Sequence, residues 1–195
     1  ALLPTIRSRC QLLRFSPLPV NDVAELLIEH EVTTDPAEAA AAASMSDGSL
    51  QTATQLLNPA LRTLRDRLYG FLSASDIKPL DAAKAMTEGL DEISSDTPEQ
   101  RRNANWLFRF TQEFYRQIVL RLTGESAVPF QPSQDLDRAA RNFANQGSAG
   151  TELAMELFDR CVLAEHHIEW NVQPAKAVEA LFDDLSRTAR NRRRA

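Results

Sequence analysis

The chain has few cysteines and few glycines, two and six respectively among 195 residues. Cys10 and Cys161 are far apart in the sequence, so we expect no disulfide framework and predict a reducing, cytoplasmic environment. Glycine is scarce while alanine and leucine are abundant, a balance that favours helices over strands. Aromatic residues make up only 7% of the chain, within the range of an ordinary soluble protein.

Long apolar runs are also missing. No stretch approaches the roughly 20 residues needed to cross a bilayer, and the chain does not open with a signal-peptide pattern. We therefore expect no contact with a membrane. The net charge of -5 excludes a protein that coats DNA by general electrostatic attraction.

The sequence lacks the motifs that bind nucleotides and metals. Neither GxxxxGK[ST] nor GxGxxG occurs, so no nucleotide site is expected to be complete within this chain. Cys161, His166 and His167 cluster, but positions i, i+5 and i+6 of a helix do not converge as i and i+4 do. We expect no metal there. Nothing in the sequence marks Ser8, Cys10 or Cys161 as an activated nucleophile, so hydrolase chemistry is not expected either.

The first sixty residues predict three short helices. The stretch "PLPVNDVAELLIEH" has the apolar spacing of an amphipathic helix. A second helix has Asp35 as N-cap, Pro36 at its first position and Glu38 completing a capping box. In "SDGSLQTATQLLN", Gly48 breaks the chain and Ser49 caps a third helix.

The remaining residues predict a helical bundle. Asn58 and Pro59 start a new helix, and we place a domain boundary after residue 58. Apolar spacing predicts five or six helices over residues 59–195. The longest runs from Thr97 to just before Gly124. Its aromatic stripe is predicted to be the centre of the core and consists of Trp106, Leu107, Phe110, Phe114 and Ile118.

The end of the chain is strongly basic. The stretch "SRTARNRRRA" (186–195) contains five arginines and no acid. The plain interpretation is a frayed, solvated terminus. The alternative is a tail that binds nucleic acid or a partner protein.

Positive charge is also concentrated in "LLPTIRSRCQLLRF" (2–15), which contains Arg7, Arg9 and Arg14. Its "SRC" resembles the Ser-Arg-Cys motif of AAA+ clamp-loader subunits, which lies near the end of the AAA+ core. In that family a short strand ("QLLRF" here), a Pro-Leu step and a helical lid follow. The lid contains a "GS-x-x-x-A" helix start, matched by "GSLQTA" (48–53). The family's helical collar ends in a helix after an Asn-containing turn, which "EWNVQPAKAVEALFDDL" resembles.

The resemblance implies an all-α fold with three parts. Residues 1–15 correspond to a remnant of the AAA+ core, with one short strand and the SRC motif. Residues 16–58 correspond to a three-helix lid domain. Residues 59–195 correspond to a five- to six-helix collar that holds the subunits together and carries the basic tail. The absence of an initial methionine is then expected, because most of the AAA+ core would precede Ala1.

The resemblance also implies a site. Arg9, with Ser8 and Cys10 of the same motif, corresponds to an arginine finger offered in trans to ATP-Mg held by a neighbouring subunit. Its planar guanidinium suits phosphate oxygens and stays charged. No cofactor is expected in this chain itself. The alternative is that Arg9 pairs with an acidic residue on its own surface.

One departure from the family pattern indicates which kind of loader subunit the chain resembles. Loader subunits that hydrolyse ATP carry an arginine where this sequence has Gln51. The chain therefore resembles a non-hydrolysing stator subunit of the bacterial DNA polymerase III holoenzyme, not an enzyme alone. The implied partners are the gamma/tau and delta loader subunits, with the sliding clamp and primed DNA reached through the complex. The alternatives are a gamma/tau motor subunit, or a free-standing helical module whose tail binds nucleic acid.

Overall fold

The computed structural model of the chain describes residues 16–94, 97–125, 133–169 and 173–192, without the side chains of 97–98 and 165–169. Within these ranges the protein is all-α, as the sequence predicted. The predicted remnant strand lies in residues 11–15, outside the described ranges. The described helices are α1 (Val20–Glu29), α2 (Pro36–Ser44), α3 (Leu50–Leu56), α4 (Pro59–Leu72), α5 (Pro79–Ile93), α6 (Thr97–Thr123), α7 (Gln134–Ala144), α8 (Ser148–Glu169) and α9 (Pro174–Arg192).

The chain divides into two compact units, which we call the first unit, ending at Gln55, and the second unit, beginning at Leu56. The sequence placed this boundary after residue 58. At that position Asn58 caps α4, because its side-chain oxygen accepts a hydrogen bond of 2.9 Å from the N–H of Ala60. The start of α4 is therefore determined locally, by the cap.

The core of the first unit lies where α1 packs on α2. Val23 and Leu27 of α1 are fully buried. The buried face of α2 consists of small side chains, so the two backbones can approach closely. These side chains are Ala39, Ala42 and Ala43.

Asp35 and Pro36 hold the N-cap and first position of α2 as predicted, but the N–H of Asp35, which a capping box joins to Glu38, donates to Thr33. The carboxylate of Asp35 accepts a hydrogen bond of 2.9 Å from the N–H of Ala37, and Pro36 is the first helical residue. The hydroxyl of Thr33 accepts a hydrogen bond from the N–H of Asp35 and donates one of 2.6 Å to Glu38. Glu38 is thus linked to the cap through Thr33, a contact that the sequence reasoning did not include.

The turn before α3 requires a glycine at position 48 for two reasons. Gly48 has a φ of +75°, which L-residues rarely adopt. A Cβ atom there would lie 2.6 Å from both the carbonyl oxygen of Leu18 and the Cβ of Pro17. Because the backbone at Gly48 lies so close to residues 17–18, the N–H of Leu18 can donate a hydrogen bond of 3.0 Å to the carbonyl of Gly48. The glycine thereby joins the turn to the segment leading into α1.

We expect Gly48→Ala to destabilise the protein by about 2 kcal/mol, since it combines a strained φ with a steric clash. The matched control is Gly124→Ala, because Gly124 has a similar φ of +78° but a Cβ there would have no atom within 4 Å. Urea unfolding measures the loss of stability in both variants, and the difference between them gives the cost of the steric clash apart from that of the strained φ. Equal losses would show that the contact with residues 17–18 costs nothing.

The second unit is built around α6, which contacts all five of its other helices. The predicted stripe is buried, with Phe114 and Ile118 fully inaccessible to solvent. The buried surface of α6 is nevertheless wider than this stripe. Side chains that flank the stripe on α6 are buried as well, whereas Arg102 and Arg116 are exposed on a narrow solvent face. The buried flanking side chains include Asn103, Phe108, Thr111, Glu113, Tyr115 and Gln117.

Several apolar residues at the periphery of the second unit are only half-buried. On α4, Leu61, Leu64 and Leu68 are buried, whereas Phe71, which follows the same apolar spacing, is partly exposed. On α9 the residues of the apolar spacing are all buried, namely Val178, Leu181, Phe182 and Leu185. Other half-buried apolar positions are Ile93, Phe143 and Ala164. Each is near a helix end, where a neighbouring helix covers less of the side chain.

The expectation of a frayed C-terminus is wrong for the described residues, since 186–192 continue α9 as regular helix. Arg190 pairs with Asp76 at 3.3 Å, and Arg192 lies 3.2 Å from Glu152 and 3.1 Å from Glu156. These acids belong to other parts of the second unit. The end of the helix is therefore held by ion pairs distant in sequence, and residues 193–195 lie outside the described ranges.

Candidate functional site

The residues predicted for the arginine finger and its motif, Ser8, Arg9 and Cys10, lie outside the described residues. The described part of the proposed lid is the first unit, with the Gly48–Ser49 start of α3. The hydroxyl of Ser49 accepts a hydrogen bond of 3.3 Å from the N–H of Thr52, and its carbonyl accepts one of 3.0 Å from Ala53. Ser49 is thus the N-cap that the sequence predicted. Ala53 is fully buried, which fixes the orientation of this short helix.

Gln51 lies in the first turn of α3 and is exposed to solvent. Its amide can donate hydrogen bonds but has no charge, so it cannot balance phosphate charge as a guanidinium does. The neighbouring residues add no cation, since residues 16–55 contain no lysine or arginine. Residues 16–55 therefore provide no lysine or arginine that could pair with a nucleotide phosphate.

The most extensive buried polar group in the second unit is on α6. Glu113 is nearly buried and accepts hydrogen bonds of 2.7 and 2.8 Å from the guanidinium of Arg116. The side-chain nitrogen of Gln117 donates a further hydrogen bond of 2.7 Å to Glu113. The hydrogen bond with Glu113 raises the pKa of Arg116 above its ordinary value. The buried carboxyl group is thus paired with two hydrogen-bonding side chains, which is the arrangement of a structural group.

Two aromatic rings pack beside this group. Tyr69 of α4 meets Phe114 edge-to-face, with ring centroids 4.9 Å apart. Burial raises the pKa of the Tyr69 hydroxyl well above its ordinary value. The hydroxyl is therefore protonated at any physiological pH and cannot act as a base.

Sequence reasoning missed Glu113 and Gln117 because it treated one face of α6 as buried. The signal that was available is the distribution of aromatic residues in "WLFRFTQEFY" (106–115). Phe108 and Tyr115 fall outside the main stripe. Large apolar residues on more than one face indicate a helix enclosed by others.

Cys161 is a core residue, as predicted. Its side chain is fully buried on α8, and its carbonyl oxygen accepts a hydrogen bond of 3.4 Å from Gln112. Burial raises the pKa of the thiol above its ordinary value, so the reactive thiolate is not populated. No group of three potential metal ligands occurs among the described residues, and the side chains of His166 and His167 lie outside them.

The second unit also contains a cleft of about 330 Å³ between the α4–α5 connection, α7 and α9. Tyr115 lies in it, and burial raises the pKa of its hydroxyl. The only charged residues among those that line the cleft are Asp76 and Arg190, which pair with each other. The lining therefore offers no net charge to an ionic ligand.

Four arginines of α8 and α9 form ion pairs on the surface of the second unit. Arg187 pairs with Asp184 at 2.8 Å, and Arg160 lies 3.8 Å from the same carboxylate. Together with the pairs of Arg190 and Arg192, these contacts join the basic end of α9 to acidic residues of the same unit. Three of the five arginines in 186–195 thus form ion pairs with acidic residues of the second unit.

No protein-family model, curated protein or solved structure matches this chain. None of the described helices combines the length and apolarity needed to cross a membrane. What the described residues establish is an all-helical protein of two units. One is small and acidic, and the other is a larger bundle with α6 at its centre.

Proposed function

We propose that this chain is the lid and collar part of a clamp-loader subunit of the AAA+ family. Within that family, we propose the delta-prime subunit of bacterial DNA polymerase III, a stator that does not hydrolyse ATP. Its role is to help the ATP-driven loader open a sliding clamp and place it on primed DNA.

The observation that carries the proposal is the start of α3. Gly48 allows the close contact with Leu18, and Ser49 caps the helix. The glycine and the serine of the "GS-x-x-x-A" motif thus each have a structural role in this chain. Further support comes from the chain order, with a three-helix unit followed by a larger helical unit that begins near Asn58.

The exposed Gln51 favours the stator over the gamma/tau motor subunit. A motor subunit uses an arginine at this position to sense the bound nucleotide, and Gln51 has no charge for that purpose. The free-standing nucleic-acid-binding module is less well supported, because Arg187, Arg190 and Arg192 are engaged with acids of the second unit.

Assembly tests the proposal directly. The chain is mixed with purified gamma/tau and delta subunits from the same source and analysed by gel filtration. We expect it to co-elute with them, because the collar carries the contacts between subunits. A chain that elutes alone at micromolar concentration would contradict the proposal.

A separate binding measurement tests the alternative that the chain is a nucleic-acid-binding module. Fluorescence anisotropy with primed DNA is measured on the isolated chain and then on the assembled complex. We expect binding by the complex and little by the chain alone, since its basic residues are paired. Tight, salt-dependent binding by the chain alone would favour the free-standing module.

A further inference from the structure

The first unit has an unusual charge distribution. Residues 16–55 contain seven acidic residues and neither lysine nor arginine. Four of the acids, Asp22, Glu25, Glu29 and Glu31, lie on α1 or directly after it. No ion pair to Glu25 or Glu29 occurs among the described residues. Within the described part of the chain these exposed charges have no ion-pair partner, and they create a negative potential along this side of the unit.

An apolar stripe runs beside these acids. Val20, Ala24 and Ile28 are spaced at i, i+4 and i+8, so they share one face of α1. Val20 is 47% exposed and Ile28 is 37% exposed. The stripe directly adjoins the positions of Val23 and Leu27, which pack inside the unit.

Ala24 and Ile28 of this stripe form one wall of a groove between α1 and α2. The groove has a volume of about 410 Å³, and its apolar wall and floor come from Ala24, Ile28, Pro36 and Ala39. Glu25 and Glu29 stand at its edge. An apolar floor with acidic residues along the rim fits a helix with one apolar face and lysines or arginines beside it.

We propose that this groove is the docking site for a basic amphipathic helix of a partner protein. The apolar residues of that helix contact Ile28 and Ala24, and its cationic residues pair with Glu25 and Glu29. Charge complementarity favours a basic occupant, since the acidic residues on and after α1 would repel an acidic partner. The proposal does not depend on the clamp-loader function.

A second copy of this chain is a poorer occupant. Its basic helical end, α9, already has Arg187, Arg190 and Arg192 paired with acids of its own unit. Docking into the groove of another copy would break those pairs before forming new ones. The partner is therefore inferred to be a different protein.

The experiment uses the full chain labelled with ¹⁵N and a synthetic amphipathic peptide with leucines on one helical face and lysines on the other. We expect amide shift changes confined to α1 and α2. A matched peptide with glutamate in place of every lysine should produce none. Shift changes spread over the second unit would contradict the proposal.

Matched variants separate docking from general attraction between opposite charges. Ile28→Ser and Glu29→Lys should each weaken peptide binding by about tenfold. The controls are Leu163→Ser and Glu179→Lys, which change an exposed leucine and an exposed glutamate of the second unit. These should leave the affinity nearly unchanged. Equal weakening by Glu179→Lys would mean that only net charge matters, and the proposal would be wrong.

Two further outcomes identify other occupants and would also overturn it. If Arg7→Glu with Arg14→Glu tightens peptide binding, the N-terminal segment of this chain occupies the groove. If the chain dimerises in sedimentation experiments and Ile28→Ser abolishes the dimer, a second copy occupies it. The proposal requires a chain that remains monomeric and a peptide affinity that does not rise in the arginine variant.

Discussion

Arg9→Ala is expected to reduce ATP hydrolysis at one site of the assembled clamp loader by on the order of 10³-fold or more. The prediction rests on the proposed function and concerns the complete protein with its AAA+ core. An arginine finger makes its strongest interaction with the charge that develops in the transition state. Folding and assembly should therefore be nearly unaffected. Total ATPase activity should fall only in part, because the other sites keep turning over.

Two variants provide the controls. Arg9→Lys should recover little activity, since an ammonium group keeps the charge but not the planar fork that matches phosphate oxygens. Arg7→Ala should behave like the unmodified protein. The measurements are steady-state ATPase and clamp loading on primed DNA. Equal losses in both alanine variants, or failure of Arg9→Ala to assemble, would make Arg9 an interface residue instead.

Phe114→Ala is expected to lower the free energy of unfolding of the second unit by about 3–5 kcal/mol, the usual cost of removing a buried aromatic ring. Phe114 is fully buried on the central helix. Its ring meets Tyr69 and Tyr115 edge-to-face, with centroid distances of 4.9 and 5.3 Å. Such pairs contribute about 0.5–1.5 kcal/mol beyond the area they bury.

The control is Phe71→Ala, which removes the same side chain from a half-buried position on α4. Phe71→Ala should lower the free energy of unfolding clearly less than Phe114→Ala does, because part of the Phe71 ring is already exposed to solvent. Phe114→Leu should also cost less than the alanine variant, since leucine fills more of the cavity. Urea unfolding followed by circular dichroism measures all three. A midpoint for Phe114→Ala equal to that of Phe71→Ala would contradict the central position of α6.

Local sequence signals determined several of the helix boundaries. Asp35, Ser49 and Asn58 act as caps in the structure as the sequence predicted, because an N-cap needs only its own side chain and the next few N–H groups. Gly124 follows the end of α6 with a positive φ, as expected of a helix terminator. The all-α class of the described residues follows from the same local preferences.

The candidate site was only partly accessible to such reasoning. The "GSLQTA" start was identified from the sequence, but the contact between Gly48 and Leu18 joins residues thirty positions apart. The groove between α1 and α2 was not anticipated. The apolar residues of α1 share one broad face, but only Val23 and Leu27 are buried on it, whereas Val20 and Ile28 stay exposed. The function of Arg9 stays a prediction.

Only the tertiary structure decided how far burial extends around α6 and where the C-terminal arginines find partners. A sequence records the spacing of apolar residues along one helix, but not how many other helices surround it, so Glu113 and Gln117 looked like surface residues. Likewise, the acid that pairs with Arg190 is Asp76, more than a hundred residues earlier. A local pattern cannot specify such a pair, because packing of α5 and α9 brings the two segments together.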